Sequence, residues 1–378
     1  MKKSFRIGAA ILGLALVAAA CGDDKTTETT MAPGDTSVMT DAPAGDPLKV
    51  AFVYVGPIGD AGWTKKHDDG RLALEAEFGE AIEVKYIESV PEGPDSQQVL
   101  EELVAEGTDL IFATSFGYMD QMVAVSEANP DVCFQHATGY MTTDNLGTYF
   151  GAAEEARYLS GIAAGHSSAS GKIGYVAAFP IPEVLRGINA FTLGAQSINP
   201  DATVQVVWTS TWFGPDIEKQ AAESLLDAGV DVVAQHQDTA AAGEAALAAG
   251  AKWLGYNDDM SRFAPEAWLT GPVWDWAPYY IKTTQEVIDG TCSNAQYYGT
   301  MADGMVGLAS YGDSVDQATR DHIEAVKATI IDGSFKPFTG PINDQDGNEK
   351  VAAGESPDLG TLLGMDYLVE GVIGSAKG

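Results

Sequence analysis

Aromatic and carboxylate side chains recur together in this sequence, each group just after a run of residues with strand character. GDAGW (59–63) puts Asp60 beside Trp63, TSFGY (114–118) carries Phe116 and Tyr118, and STWF (210–213) carries Trp212. QHQD (235–238) adds His236 and Asp238, YNDD (256–259) adds Asn257 and Asp259, and VWDW (273–276) adds Trp274 and Trp276. Aromatic faces from opposite sides of a cleft can sandwich a flat heterocycle while carboxylates accept its N–H groups, which is the chemistry of reversible recognition. Each group also has a plainer use. The tryptophans could fill a junction between lobes, Asp60 could stabilise its own turn, Asp238 and Asp259 could cap the helices that follow them, and His236 and Phe116 could simply pack.

Bond-making chemistry finds little support. There is no Walker phosphate loop, no HExxH and no GxSxG nucleophile elbow. The five histidines, His67, His136, His166, His236 and His322, do not fall at zinc-ligand spacing, so no metal or other cofactor is expected. A secreted hydrolase using Asp60, His67 or Asp238 would lack a recognised nucleophile. GPIGDAG (56–62) departs from the GxGxxG spacing of a dinucleotide loop, and Pro57 removes an amide that a phosphate would need. It reads as a turn that lets a neutral ligand approach closely.

The elements that must position these loops alternate between two periodicities. Apolar strand runs are expected at 49–55 (KVAFVYV), 82–87, 109–113, 131–136, 173–179, 203–209, 231–236 and 252–256. Helical patterns lie between them, at 63–78, from Pro94 to Gly107, and at 120–128, 182–197, 215–228 and 239–249. Such alternation is the signature of parallel sheets covered by helices on both faces, with ligands at the strand C-termini. The series restarts at Lys172 after a helix near 157–165, which predicts two Rossmann-like α/β lobes. Near the C-terminus, residues 341–351 read as a hairpin turning at Asp346-Gly347, and calcium-loop spacing fails there.

The first twenty residues are a basic start (Lys2, Lys3, Arg6), an apolar run and Ala18-Ala19-Ala20 before Cys21, the pattern of a cleaved export signal with a lipidated cysteine. Residues 21–47 lack large apolar side chains and read as a flexible tether, so folding should begin at Leu48. The remaining ~330 residues exceed what one core usually holds. At 45% hydrophobic residues the chain can build two. The formal charge of −33 argues against nucleic acid as a partner and fits a salty habitat. After Cys21 only Cys133 and Cys292 remain, and two separate buried thiols are expected.

Several longer stretches carry a family resemblance: FVYVGPIGDAGWTKKHDDGR (52–71), FATSFGYMD (112–120), ARYLSGIAAG (156–165), GYVAAFPIPEVLRGINAFTLGAQSINPDA (174–202), WFGPDIE (212–218), GYNDDMSRFAP (255–265), VWDWAPYY (273–280) and FTGPINDQDG (338–347). Together they resemble the basic membrane protein family of lipoproteins, substrate-binding subunits of purine-related ATP-binding-cassette (ABC) transporters. The resemblance implies a type I periplasmic-binding-protein fold, with lobes joined by three crossing segments. The lobes are expected at 48–165 plus about 276–315 and at 166–275 plus about 316–378. It also implies a purine base or nucleoside as ligand, permease subunits as partners, a monomer, and an extracytoplasmic location on the membrane through Cys21. Nucleoside-binding members hold the ribose with an Asp and a Lys; the comparable positions here are Asn257 and Trp274. That change points to a base such as adenine, with a nucleoside or a ligand-sensing ectodomain as alternatives.

Overall fold

A computed structural model describes residues 45–378. The signal, Cys21 and most of the tether lie outside the described residues. Strands β1 (Leu48–Val53), β2 (Ile82–Ile87), β3 (Leu110–Ala113), β4 (Cys133–Ala137) and β5 (Leu146–Gly151) come first, with helices α1 (Trp63–Phe78), α2 (Pro94–Ala105) and α3 (Met119–Ala128) between them. Helix α4 (Ala153–Ser167) leads into β6 (Lys172–Ala177), α5 (Pro182–Gln196), β7 (Thr203–Trp208), α6 (Pro215–Asp227), β8 (Val232–His236), α7 (Ala241–Ala248), β9 (Lys252–Leu254) and β10 (Trp268–Thr270). The chain ends with β11 (Pro272–Trp274), α8 (Ala277–Ile288), β12 (Gln296–Gly299), β13 (Val306–Leu308), α9 (Gln317–Ile331), the hairpin β14 (Ile342–Asn343) and β15 (Glu349–Val351), α10 (Leu359–Leu363) and β16 (Val372–Ile373).

Two six-stranded sheets result, ordered β12-β5-β4-β3-β1-β2 and β10-β9-β8-β6-β7-β16. Every pairing within them is parallel. Parallel strands covered on both faces need apolar side chains in both directions, and every residue of β3, β4, β5 and β8 is buried. Because β12 and β16 come late in the chain yet complete the first and second sheets, the chain crosses between lobes three times: after β5, after β10 and after β12. Strands β5, β10, β11, β12, β13 and β16 are the ones that the apolar runs did not single out.

Helices α4 and α5 pack closely because Gly161 and Gly194 face the other helix. A Cβ at either position would collide with the backbone oxygen of Phe191 or Tyr158. The expected hairpin forms at β14 and β15, where Asp344 accepts N–H bonds from Asp346 and Asn348 and Gly347 takes φ 80°. Among the described residues no helix is long and apolar enough to cross a membrane.

One expectation is overturned. Cys133 and Cys292 are not separate thiols but a disulfide, with 5.5 Å between their Cα atoms across a sequence separation of 159. Cys133 opens β4, and the segment after α8 must run past it to place β12 beside β5. Sequence distance concealed that meeting. A bridge across so long a loop restricts the unfolded chain strongly, so a Cys133→Ala/Cys292→Ala variant should lose about 2–5 kcal/mol in urea unfolding. Unchanged stability would mean that the bridge does not form.

Candidate functional site

The loops that follow the strand C-termini of both sheets meet in a cleft, and the two lobes are shut upon it. Gly62, at the start of α1, lies so close to the second lobe that a Cβ there would sit 2.8 Å from the backbone oxygen of Asp238 and 3.2 Å from Asn257 Nδ2. Lys65 on the first lobe reaches Asp258 on the second at 3.3 Å. A narrow cavity remains between the lobes. The first lobe lines it with Val55, Trp63, Ser115, Phe116 and Thr138, and the second with Glu183, Trp212, His236, Asp238, Tyr256 and Asn257.

Six of the residues singled out from sequence therefore share one space: Trp63, Phe116, Trp212, His236, Asp238 and Asn257. The other five stand elsewhere. Asp60 sits behind the wall, where its carboxylate accepts the backbone N–H groups of Gly62 and Thr64 at 2.8 Å and of Lys65 at 3.0 Å, satisfying the open amides at the start of α1. Tyr118 is in the first-lobe core, with its hydroxyl donating to the Val90 carbonyl at 2.6 Å. Asp259 accepts from the Ser261 amide at 3.0 Å and from the Ser310 hydroxyl, and caps no helix. Trp276 stacks on His67 at 4.5 Å and on Trp274 at 4.8 Å between ring centroids, and Trp63 meets both indoles edge-on. Trp274 and Trp276 are thus the layer behind Trp63.

Trp274 has a second effect. Its Nε1–H donates to Asn257 Oδ1 at 2.9 Å, and Asn257 Nδ2–H donates to Asp238 Oδ1 at 3.0 Å. This relay orients the Asp238 carboxyl beside the cavity. Asn257 itself is buried with φ 72°, a left-handed conformation that Asn tolerates better than most residues. Trp63 is fixed by its own Nε1–H, which donates to the Thr114 carbonyl at 2.7 Å.

The electrostatics follow from removing water. Burial, reinforced by the charges of Asp60 and Glu218, holds the Asp238 carboxyl well above the usual carboxylate range. Burial also raises Asp60 and pushes Glu183 up to about 7. Burial, with the cations Arg157 and Arg186 adding to it, keeps the His236 imidazole well below its ordinary value and so neutral. Several buried polar atoms in the cavity wall have no partner among the described residues: Thr138 Oγ1, Trp212 Nε1, His236 Nδ1 and Tyr256 OH. Such groups cost roughly 1–3 kcal/mol each when left unpaired, so a ligand that pairs them gains affinity. Among the described residues no group of three or more His, Cys, Asp or Glu side chains is placed to hold a metal ion.

Val55, Ser115, Thr138, Glu183 and Tyr256 line the cavity without having been singled out. Ser115 and Tyr256 lie inside loops recognised from sequence, one residue from a candidate. Glu183 follows Pro182 at the first turn of α5, and that proline marked the segment as a helix start. The rule that strand ends matter applied equally to the loop after β6.

The family model for PnrA-like substrate-binding proteins of ABC transporters, named Bmp, matches residues 48–336. The chain belongs to the Bmp family. It is therefore a solute-binding protein rather than an enzyme, and works outside the cytoplasm. A purine-binding protein of Brucella abortus is 44% identical over 331 residues, covering 88% of this chain and 94% of the relative. A protein of Haloferax volcanii, provisionally named as the glucose-binding component of an ABC transporter, is 39% identical and covers 92% of this chain and 88% of its own. Among solved structures, a solute-binding protein from Aeropyrum pernix superposes with a TM-score of 0.67 at 19% identity, covering 77% of this chain and 93% of that one. One from Conexibacter woesei gives 0.61 at 20% identity, covering 76% and 98%. These two support the type I periplasmic-binding-protein fold of this Bmp protein.

The raised Asp238 generates a testable sign. A carboxyl whose pKa rises on folding opposes folding increasingly as pH climbs above its unfolded value of about 4. Asp238→Asn removes that opposition and can still accept from Asn257. It should raise the thermal midpoint at pH about 7, with the gain vanishing as pH falls toward about 4. A lowered midpoint at neutral pH would refute the account.

Proposed function

We propose that this Bmp protein is the lipid-anchored receptor of an ABC importer and that its ligand is a purine base such as adenine. The observation that carries the reading is the interlobe cavity, in which Phe116 of the first lobe and Trp212 of the second line one space with Trp63 beside carboxyls and unpartnered polar atoms. The space is narrow and walled by aromatic rings from both lobes, which suits a small flat molecule. The purine-binding relative from Brucella supports the same class. Capture on one open lobe, closure, and recognition of the shut form by the permease would then complete the cycle.

A purine nucleoside is the second reading. A further narrow space adjoins the cavity across Phe116, Thr138 and Glu183, the direction in which a pentose would extend. Against it stand Asn257 and Trp274, which occupy the positions compared with a sugar-binding Asp and Lys and engage each other instead.

Anchoring would follow from acylation of Cys21. One acyl chain holds a protein only marginally and two hold it well, so a diacylated cysteine accounts for retention. Cys21→Ala should release the protein into the medium, as read by fractionation; retention of the variant on membranes would reject the anchor.

The ligand can be identified directly by denaturing freshly purified protein and subjecting the released small molecule to mass spectrometry. Adenine is expected; a sugar, as the name of the Haloferax relative would suggest, would overturn the purine reading. In titration calorimetry on refolded, ligand-free protein, Phe116→Ala and Trp212→Ala should each weaken adenine binding by about 1–3 kcal/mol, the scale of one base–aromatic contact. Unchanged affinity in both would remove those rings from the site.

A further inference from the structure

Glu183 is the cavity residue whose chemistry the reading above leaves unused. Its side chain is only 12% exposed and lines the cavity with Trp212, His236 and Tyr256. No described residue donates a hydrogen bond to its carboxyl. His236 Nε2 lies 3.9 Å from Oε1, beyond hydrogen-bond reach. A carboxyl largely shielded from water and without a protein donor keeps hydrogen-bonding capacity that a ligand in the cavity can use.

We propose that Glu183 contacts the ligand and sets its specificity, by pairing with an edge of the ring that shows one hydrogen-bond donor beside one acceptor. Adenine has such an edge where its amino group adjoins a ring nitrogen. The inference rests on the purine reading and deepens it to 6-amino purines.

The groups facing Glu183 explain why it can serve this way. Arg186 on α5 is turned toward Glu154 at 3.2 Å and the Leu362 carbonyl at 3.0 Å. Arg157 on α4 donates to the Gln235 carbonyl at 2.8 Å and lies 3.8 Å over the Tyr256 ring. His236 at the end of β8 stays neutral, and Glu92, in the loop before α2, adds a repelling charge from the first lobe. Burial outweighs the two arginines and brings the carboxyl to about 7. Near neutral pH it is thus available as a carboxylic acid, whose O–H donates to a ring nitrogen while its carbonyl accepts the amino N–H. An ionised carboxylate has two acceptors and no donor, and suits the two adjacent N–H donors of guanine instead.

The test is titration calorimetry of refolded, ligand-free protein with adenine and with guanine across pH about 6 to 9. Adenine affinity should fall as pH rises through the carboxyl's range, by up to about tenfold per unit, while the preference for adenine over guanine narrows. Glu183→Gln offers the same donor–acceptor pair without titrating. It should match the wild type at low pH within about threefold and lose most of the pH dependence, whereas Glu183→Leu should weaken adenine binding roughly 10- to 100-fold at pH about 6. Thermal melts of both variants check that they fold. Adenine binding that is flat with pH, or a Glu183→Gln variant that keeps the wild-type slope, overturns the role of Glu183 alone. A wild-type protein that takes up no purine at any pH overturns the purine reading and this inference with it.

Discussion

Two lobes shut over a cleft lined with acids: the desolvation this imposes is the constraint around which the rest of the structure is arranged. Gly62 brings the first lobe against the backbone of Asp238, and no side chain at that position would allow so near an approach. Closure therefore brings Asp60 and Asp238 together in a region with little water. The arrangement is sustained by giving each carboxyl something to hold. Asp60 is satisfied by three backbone amides at the start of α1, and Asp238 accepts from Asn257 and is raised toward its neutral form. Lys65 and Lys66 reach Asp258 across the outer edge of the same contact, where water screens the charges and the gain is small.

Behind the cleft, aromatic rings do mechanical rather than recognitional service. His67, Trp276 and Trp274 form a stacked series, with Trp63 set edge-on against it. Offset-stacked and edge-to-face pairs are the favoured aromatic arrangements and contribute about 0.5–1.5 kcal/mol beyond the area they bury. Trp63 thereby presents a rigid wall to the cavity, and Trp274 passes its indole hydrogen bond through Asn257 to Asp238. Trp274 is thus part of the support for a residue that lines the cavity.

The same economy governs the long-range connections. Strand β12 returns to the first sheet beside β5, and the Cys133–Cys292 bridge secures the segment that leads to it. Strand β16 closes the second sheet against β7. Each lobe is thus finished by chain that has already visited the other.

What the sequence determined by itself was local. Continuous apolar runs, Pro182 and Pro215 at helix starts and the Gly347 turn specified β1 to β4, β6 to β8, α5, α6 and the hairpin, because backbone geometry and burial on both faces act over a few neighbouring residues. The rule that ligands meet parallel strands at their C-termini then led to Trp63, Phe116, Trp212, His236, Asp238 and Asn257. Short or late strands such as β12 and β16 carried too little periodicity to stand out. Tertiary structure alone decided which of the loop residues face the cavity and which back it. Tyr118, Trp274 and Trp276 have the same composition and the same strand-end placement as the lining residues, and differ only in what packs against them. Glu183 and the cysteine pairing were hidden for the same reason: each depends on a partner more than fifty residues away, and proximity across such distances is set by the closure of the fold and not by the residues beside it in the chain.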